Sequence, residues 1–106
     1  MAQFDVHKNT GRQRATIPYI VIVQSAQLDN YRRRVVVPLV RASEIGTIPF
    51  ATFNPVFTIR NVKVALHPLE ITSIPVEQLG AHVGSLAEFS DGIVAALDQL
   101  LSRASK

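Results

Sequence analysis

The sequence has no cysteine and no tryptophan, and its 106 residues include only two tyrosines and five glycines. Without cysteine, neither disulfides nor thiolate metal sites can contribute to stability, which suits a reducing cytoplasm. No run approaches the ~20 consecutive apolar residues of a membrane span. The opening Met1-Ala2-Gln3-Phe4-Asp5 has neither the basic start nor the apolar block of a secretion signal, so the expected location is cytoplasmic. Charge is also scarce: 18% of residues are charged and the net charge is +3, a weak electrostatic footprint for nucleic acid. Apolar residues, by contrast, make up 47% of the chain, enough to place it among folded proteins and to build a single domain over residues 1–106. A domain of this length buries roughly 60–70% of its unfolded-chain surface, so a core forms without covalent staples.

Gln3 to Lys8 alternates polar and apolar, with Phe4 and Val6 on one face, and predicts a first strand. Asn9 to Thr16, with Gly11, Arg12, Gln13 and Arg14, predicts a solvated loop. Pro18 to Gln24 (PYIVIVQ) and Val35 to Val40 (VVVPLV) are dense β-branched runs without alternation. Such strands are covered on both faces, by the rest of the domain or by another subunit. Pro38 has no N–H to donate to a ladder and marks an edge, a bulge or a strand end. Residues 25–34 (SAQLDNYRRR) predict a turn, and residues 41–54 are irregular, with one helical turn at Ala42 to Ile45. Pro55 to Arg60 and Val62 to His67 predict a hairpin about Arg60-Asn61. Glu70 to Ser73 predicts a last short strand, ended by Pro75.

Ser85-Leu86-Ala87-Glu88 fits a capping box, in which Ser85 accepts from the backbone near Glu88 and Glu88 reaches back. Apolar residues then recur at Leu86, Phe89, Ile93, Leu97 and Leu100, with Val94 and Leu101 widening the stripe, so a C-terminal helix is expected. Gly80 and Gly84 fall in the connection leading to it. The fold class that follows is mainly β: five or six strands in a small antiparallel barrel or curled sheet, closed by a terminal helix.

Catalytic chemistry has little to work with. His7, His67 and His82 each stand without a second ligand at metal spacing, and their expected role is as ordinary surface or partly buried imidazoles. Ser25 lacks the strand–turn–helix elbow of a hydrolase nucleophile, and no glycine-rich phosphate loop occurs. Arg32-Arg33-Arg34 is the one dense charge run, expected to be a hydrated shoulder that keeps an apolar ribbon soluble.

Two segments carry a resemblance. Val23-Gln24-Ser25-Ala26-Gln27-Leu28-Asp29, continuing through Arg33-Arg34-Val35-Val36-Val37-Pro38-Leu39, resembles the VQS…(I/L)D…R-x-V-I-P-L segment of CcdB-type toxins. Ile71 to Gly80 (ITSIPVEQLG) resembles their second signature, built on S-V-P-V. Both occur in order, and the likeness extends over nearly the whole chain. It implies an SH3-like barrel of the CcdB/MazF type, acting as a homodimer without cofactor. Such toxins insert between the A subunits of DNA gyrase, trap the enzyme with cleaved DNA, and are stripped off by a CcdA-like antitoxin. Carried over by motif, the gyrase-binding positions are Gln27, Leu28, Asp98, Leu101, Ser102, Arg103 and Ala104. The family's Trp-Gly-Ile ending falls on Ser102-Arg103-Ala104, a departure at the toxin's working tip. The resemblance thus leaves three readings open: a gyrase poison with a changed contact, a retargeted protein, or a non-toxic homologue that still binds antitoxin. The related MazF and Kid ribonucleases supply an enzymatic alternative, for which Arg12, Arg14 and Arg32 to Arg34 would face the RNA backbone. With no general acid–base pair evident, the expectation is a binding protein rather than an enzyme.

Overall fold

The VVVPLV run lies in the middle of the longest strand, and the other strands are arranged around it. The computed structural model describes residues 2–46 and 51–103. Among them, seven strands form one antiparallel sheet: β1 (Asp5–Lys8), β2 (Tyr19–Ile22), β3 (Arg33–Arg41), β4 (Val56–Ile59), β5 (Val62–Leu66), β6 (Thr72–Pro75) and β7 (His82–Ser85). Their spatial order is β4-β5-β3-β2-β1-β7, with β6 beside the first half of β3. A short helix, α1 (Ala42–Ile45), follows β3, and the terminal helix α2 (Ser90–Leu101) lies against one face of the sheet. The sheet curls until its end strands approach. Residues of β4 (Thr58, Ile59) and β7 (Val83, Gly84, Ser85) line one cleft of about 230 Å³, alongside Leu86 and Phe89. None of the described helices is long and apolar enough to cross a membrane.

The lack of alternation in the two apolar runs has its cause within this chain. Tyr19 and Val21 of β2, with Val37 and Leu39 of β3, face α2 and pack with Val64, Leu66, Ile93 and Ala96. Ile20, Ile22 and Val36 point to the opposite face, where Ile74 and Leu79 from the same chain cover them. Both faces are therefore buried without a second subunit. Each such aliphatic side chain contributes roughly 1.5–3 kcal/mol by leaving water.

Pro38 sits inside β3 rather than at its end. On one side β3 pairs with β2 from Val36 to Leu39. On the other it pairs with β6 over Arg33–Val36 and with β5 over Leu39–Arg41. Pro38 accepts from His67 N–H (3.0 Å) on that divided side, so its missing N–H falls where one partner strand gives way to the next. A residue that cannot donate is tolerated there because no ladder carbonyl awaits it.

The hairpin turns on Arg60-Asn61 as expected, with φ of 48° and 67°. This two-residue left-handed turn matches the twist of its flanking strands. Other expectations need correction. The last strand before the helix is β7, which the sequence reading placed in a connection. Gly84 lies within it, and a four-residue strand containing glycine carries almost no periodic signal. Pro75 closes β6 as its final residue, and β6 runs over Thr72–Pro75 rather than Glu70 to Ser73. The capping box does not form: Ser85 Oγ accepts from Ala87 N–H (3.1 Å), a single 3₁₀ turn follows, and α2 begins at Ser90 without a side-chain cap. Of the expected apolar stripe, Leu86 and Ile93 are buried, whereas Phe89, Val94 and Leu101 are exposed.

Gly80 is fixed by close approach rather than by a turn. A Cβ there would stand 2.5 Å from the carbonyl oxygen of Lys8, and Gly80's own carbonyl faces His7 Nδ1 at 2.9 Å. The segment leading into β7 is thereby held flush against β1.

Candidate functional site

The positions carried over by motif fall on two surfaces. Gln27 and Leu28 lie in a 3₁₀ turn, Ala26–Leu28, within the connection from β2 to β3. Ser25 caps it, its Oγ accepting from Gln27 N–H (3.2 Å) while its carbonyl accepts from Leu28 N–H (3.0 Å). Gln27 is exposed, and Leu28 keeps 45% of its surface in solvent. Asp98 and Leu101 are exposed on the last turns of α2, where Leu101 is 77% open. Ser102 leaves the helix in an extended conformation (φ −68°, ψ 147°), its hydroxyl donating to Gln99 O (3.2 Å), and Arg103 continues into solvent. Gln99 Nε2 donates to Thr52 Oγ1 (3.1 Å), so this end of the helix is tied to the segment before β4. Ala104 lies outside the described residues. No hydrogen bond among the described residues joins the Gln27–Leu28 turn to the α2 end.

The arginine run is not the uniform hydrated shoulder expected. Arg32 and Arg33 are exposed, but Arg34 is buried. Arg33 donates to Ser73 Oγ (2.8 Å) and Ser73 O (2.7 Å), clamping β6 to β3. Arg34 turns into the β2–β3 connection and donates to its carbonyls. Tyr31, in the same connection, is 67% exposed. Gln24, Tyr31 and Arg34 also shape this connection, although none of them is among the contact positions carried over by motif. For Arg34 the available signal was the chemistry of the run itself: three arginines next to a buried strand cannot all reach water when side chains alternate.

The face of the sheet opposite α2 carries two neighbouring clefts of about 440 and 330 Å³, which share Gln13, Ile17 and Glu70. The larger also holds His67, whose Nε2 is 3.7 Å from Glu70 Oε2. His7, expected at the surface or partly buried, is buried, and it meets His82 edge-on at 5.4 Å between ring centroids. Among the described residues no three His, Cys, Asp or Glu side chains gather to hold a metal ion. What the exposed surfaces offer is apolar and cationic contact with another macromolecule: Leu28, Tyr31 and Arg32 on one, Val94, Leu101 and Arg103 on the other.

Comparison with known proteins places these features in context. A family model described as CcdB protein matches residues 3–102. No curated protein matches the chain. Among solved structures, an endoribonuclease in complex with its cognate antitoxin from Mycobacterial species superposes with a TM-score of 0.76. That match covers 100% of this chain and 99% of the other at 14% identity, a likeness of fold.

Proposed function

The chain belongs to the CcdB family, and from that premise we propose that it is the toxin of a toxin–antitoxin pair that acts by gripping the A subunit of DNA gyrase. The observation that carries this reading is the family match across residues 3–102, which takes in both signature segments. Its geometry is compatible with a binding role: Leu28 and Leu101, carried over as contact residues, are exposed apolar side chains on ordered elements. The action is one of binding, without catalysis or cofactor. An antitoxin with an acidic or amphipathic segment that folds on contact suits a protein of net charge +3. The solved neighbour is an endoribonuclease seen with its cognate antitoxin, which favours a partner of this kind.

Action between two gyrase subunits calls for a homodimer. The apolar runs of β2 and β3 no longer motivate one, since this chain buries both their faces. The exposed Leu69, on the turn that packs against α2, supplies apolar surface for it. Light scattering at micromolar concentration is expected to give twice the 11.7 kDa chain mass, and a monomeric mass would remove the dimer from the proposal.

The direct test combines the purified protein with gyrase, ATP and supercoiled plasmid. Trapped linear DNA is the expected product. A properly folded protein that yields none is not a gyrase poison. RNA cleavage that disappears when Arg12, Arg14 and Arg32 are replaced would instead favour the ribonuclease reading that the structural neighbour raises.

A further inference from the structure

Arg34 is a charged side chain with 4% of its surface exposed, and the reason lies in the loop it faces. Its Nη1 donates to the carbonyls of Tyr31 (2.7 Å) and Arg33 (2.9 Å), and its Nη2 donates to that of Asp29 (3.2 Å). The same Nη2 stands 3.7 Å from the Asp29 carboxylate. Gln24 completes the frame. Its Nε2 donates to the carbonyls of Leu28 and Arg33, both at 3.2 Å, and its Oε1 accepts from Val35 N–H at 2.9 Å. The carbonyls of Leu28, Asp29, Tyr31 and Arg33 are thus held by two side chains that flank the loop in sequence. Arg34 Nε is buried with no partner among the described residues, so the guanidinium is placed for its fork and not for complete satisfaction.

We propose that Arg34 is a positioning residue for partner binding: it fixes the loop over residues 25–33 in one shape, so that Leu28 and Tyr31 stand ready as contact residues. This rests on the reading of that loop as a contact surface for the gyrase A subunit. Tyrosine is among the side chains that most often dominate protein interfaces, and Tyr31 is more exposed than Leu28. A loop already ordered in the free protein avoids the ordering penalty that a mobile one incurs on docking. Lysine at position 34 would keep the charge but lose the planar fork that reaches three carbonyls.

The test uses the full chain. Tyr31→Trp creates a sole tryptophan, since the sequence has none, and reports on the loop by fluorescence anisotropy. In that background Arg34→Lys is expected to lower the anisotropy. It should also speed amide exchange over residues 26–33 by about tenfold or more, while exchange in β5 and α2 stays unchanged. Without the tryptophan, Arg34→Lys should bind purified gyrase A subunit about tenfold more weakly. A loop as ordered with lysine as with arginine overturns the proposal, and so does a loosened loop with unchanged affinity. Should the wild-type chain fail to bind gyrase, the functional reading fails separately, and the exchange comparison alone decides whether Arg34 sets the loop. If Arg34→Lys does not fold, Gln24→Met removes the other half of the frame without touching a charge and yields the same comparison.

Discussion

Ile93→Ala is expected to lower stability by about 3 kcal/mol, within the range typical of large-to-small core substitutions. Ile93 has no exposed surface and sits on the face of α2 that meets Val21, Leu39, Val64 and Leu66. The sheet beneath is rigidly paired and cannot collapse into the space left behind, so the cavity adds to the lost transfer energy. For a domain of about this size the melting temperature should fall by about 15 °C. Val94→Ala is the control, because its side chain is 44% exposed one position along the same helix. Its effect should stay within about 0.5 kcal/mol. Thermal unfolding of the pair checks the orientation of α2, and equal losses would show the helix to be turned differently.

Rebuilding the tip is expected to have the largest effect on binding. With Ser102→Trp, Arg103→Gly and Ala104→Ile together, affinity for the gyrase A subunit should rise by about thirtyfold or more. That corresponds to the ~2 kcal/mol or greater that an anchoring aromatic contributes at an interface centre. Ser102 follows the exposed Leu101 directly and leaves α2 extended, so a side chain at 102 is presented rather than packed. The gain should come without a stability change beyond about 0.5 kcal/mol. Titration of both proteins against purified gyrase A subunit measures it. No gain would place the block elsewhere in the carried-over set, at Gln27 or Asp98.

How far this molecule was legible in its sequence depended on which interactions are local. The Arg60-Asn61 hairpin, the single turn at Ala42–Ile45 and the terminal helix each rest on short-range preferences, and all three are present. The mainly β class followed from the two β-branched runs. β7 was not legible, because His82–Ser85 is made a strand by its pairing with β1, about 78 residues away, and not by its own composition. The failed capping box has a similar cause. Ser85 is the last residue of β7, and Leu86 N–H is already committed to Phe4 O (2.8 Å), so the chain enters the helix from a sheet geometry. At the candidate site, Gln27, Leu28, Asp98 and Leu101, carried over by motif likeness, are exposed. For Arg34 the alternation of Arg33 and Arg34 was a local hint, but the carbonyls of Asp29, Tyr31 and Arg33 that receive it depend on how the β2–β3 connection folds back, which no local pattern announces.

The pairing of β1 with β7 has a consequence in time. β1 pairs with β2 early in the chain, but its other edge waits for Gly84 and Ser85, and Phe4 completes its contacts only with Leu86. At roughly 5–20 residues per second, a ribosome leaves that edge open for about 4–16 seconds after β1 emerges. Ile93 and Ala96, which seal the core, come later still. Contacts of such long sequence separation also slow folding after release, into the millisecond-to-second range common for β-rich domains. The nascent chain therefore carries an open strand edge and an unsealed core until residues 82–96 have been made, and its period of greatest exposure to aggregation or proteolysis lasts until that segment emerges.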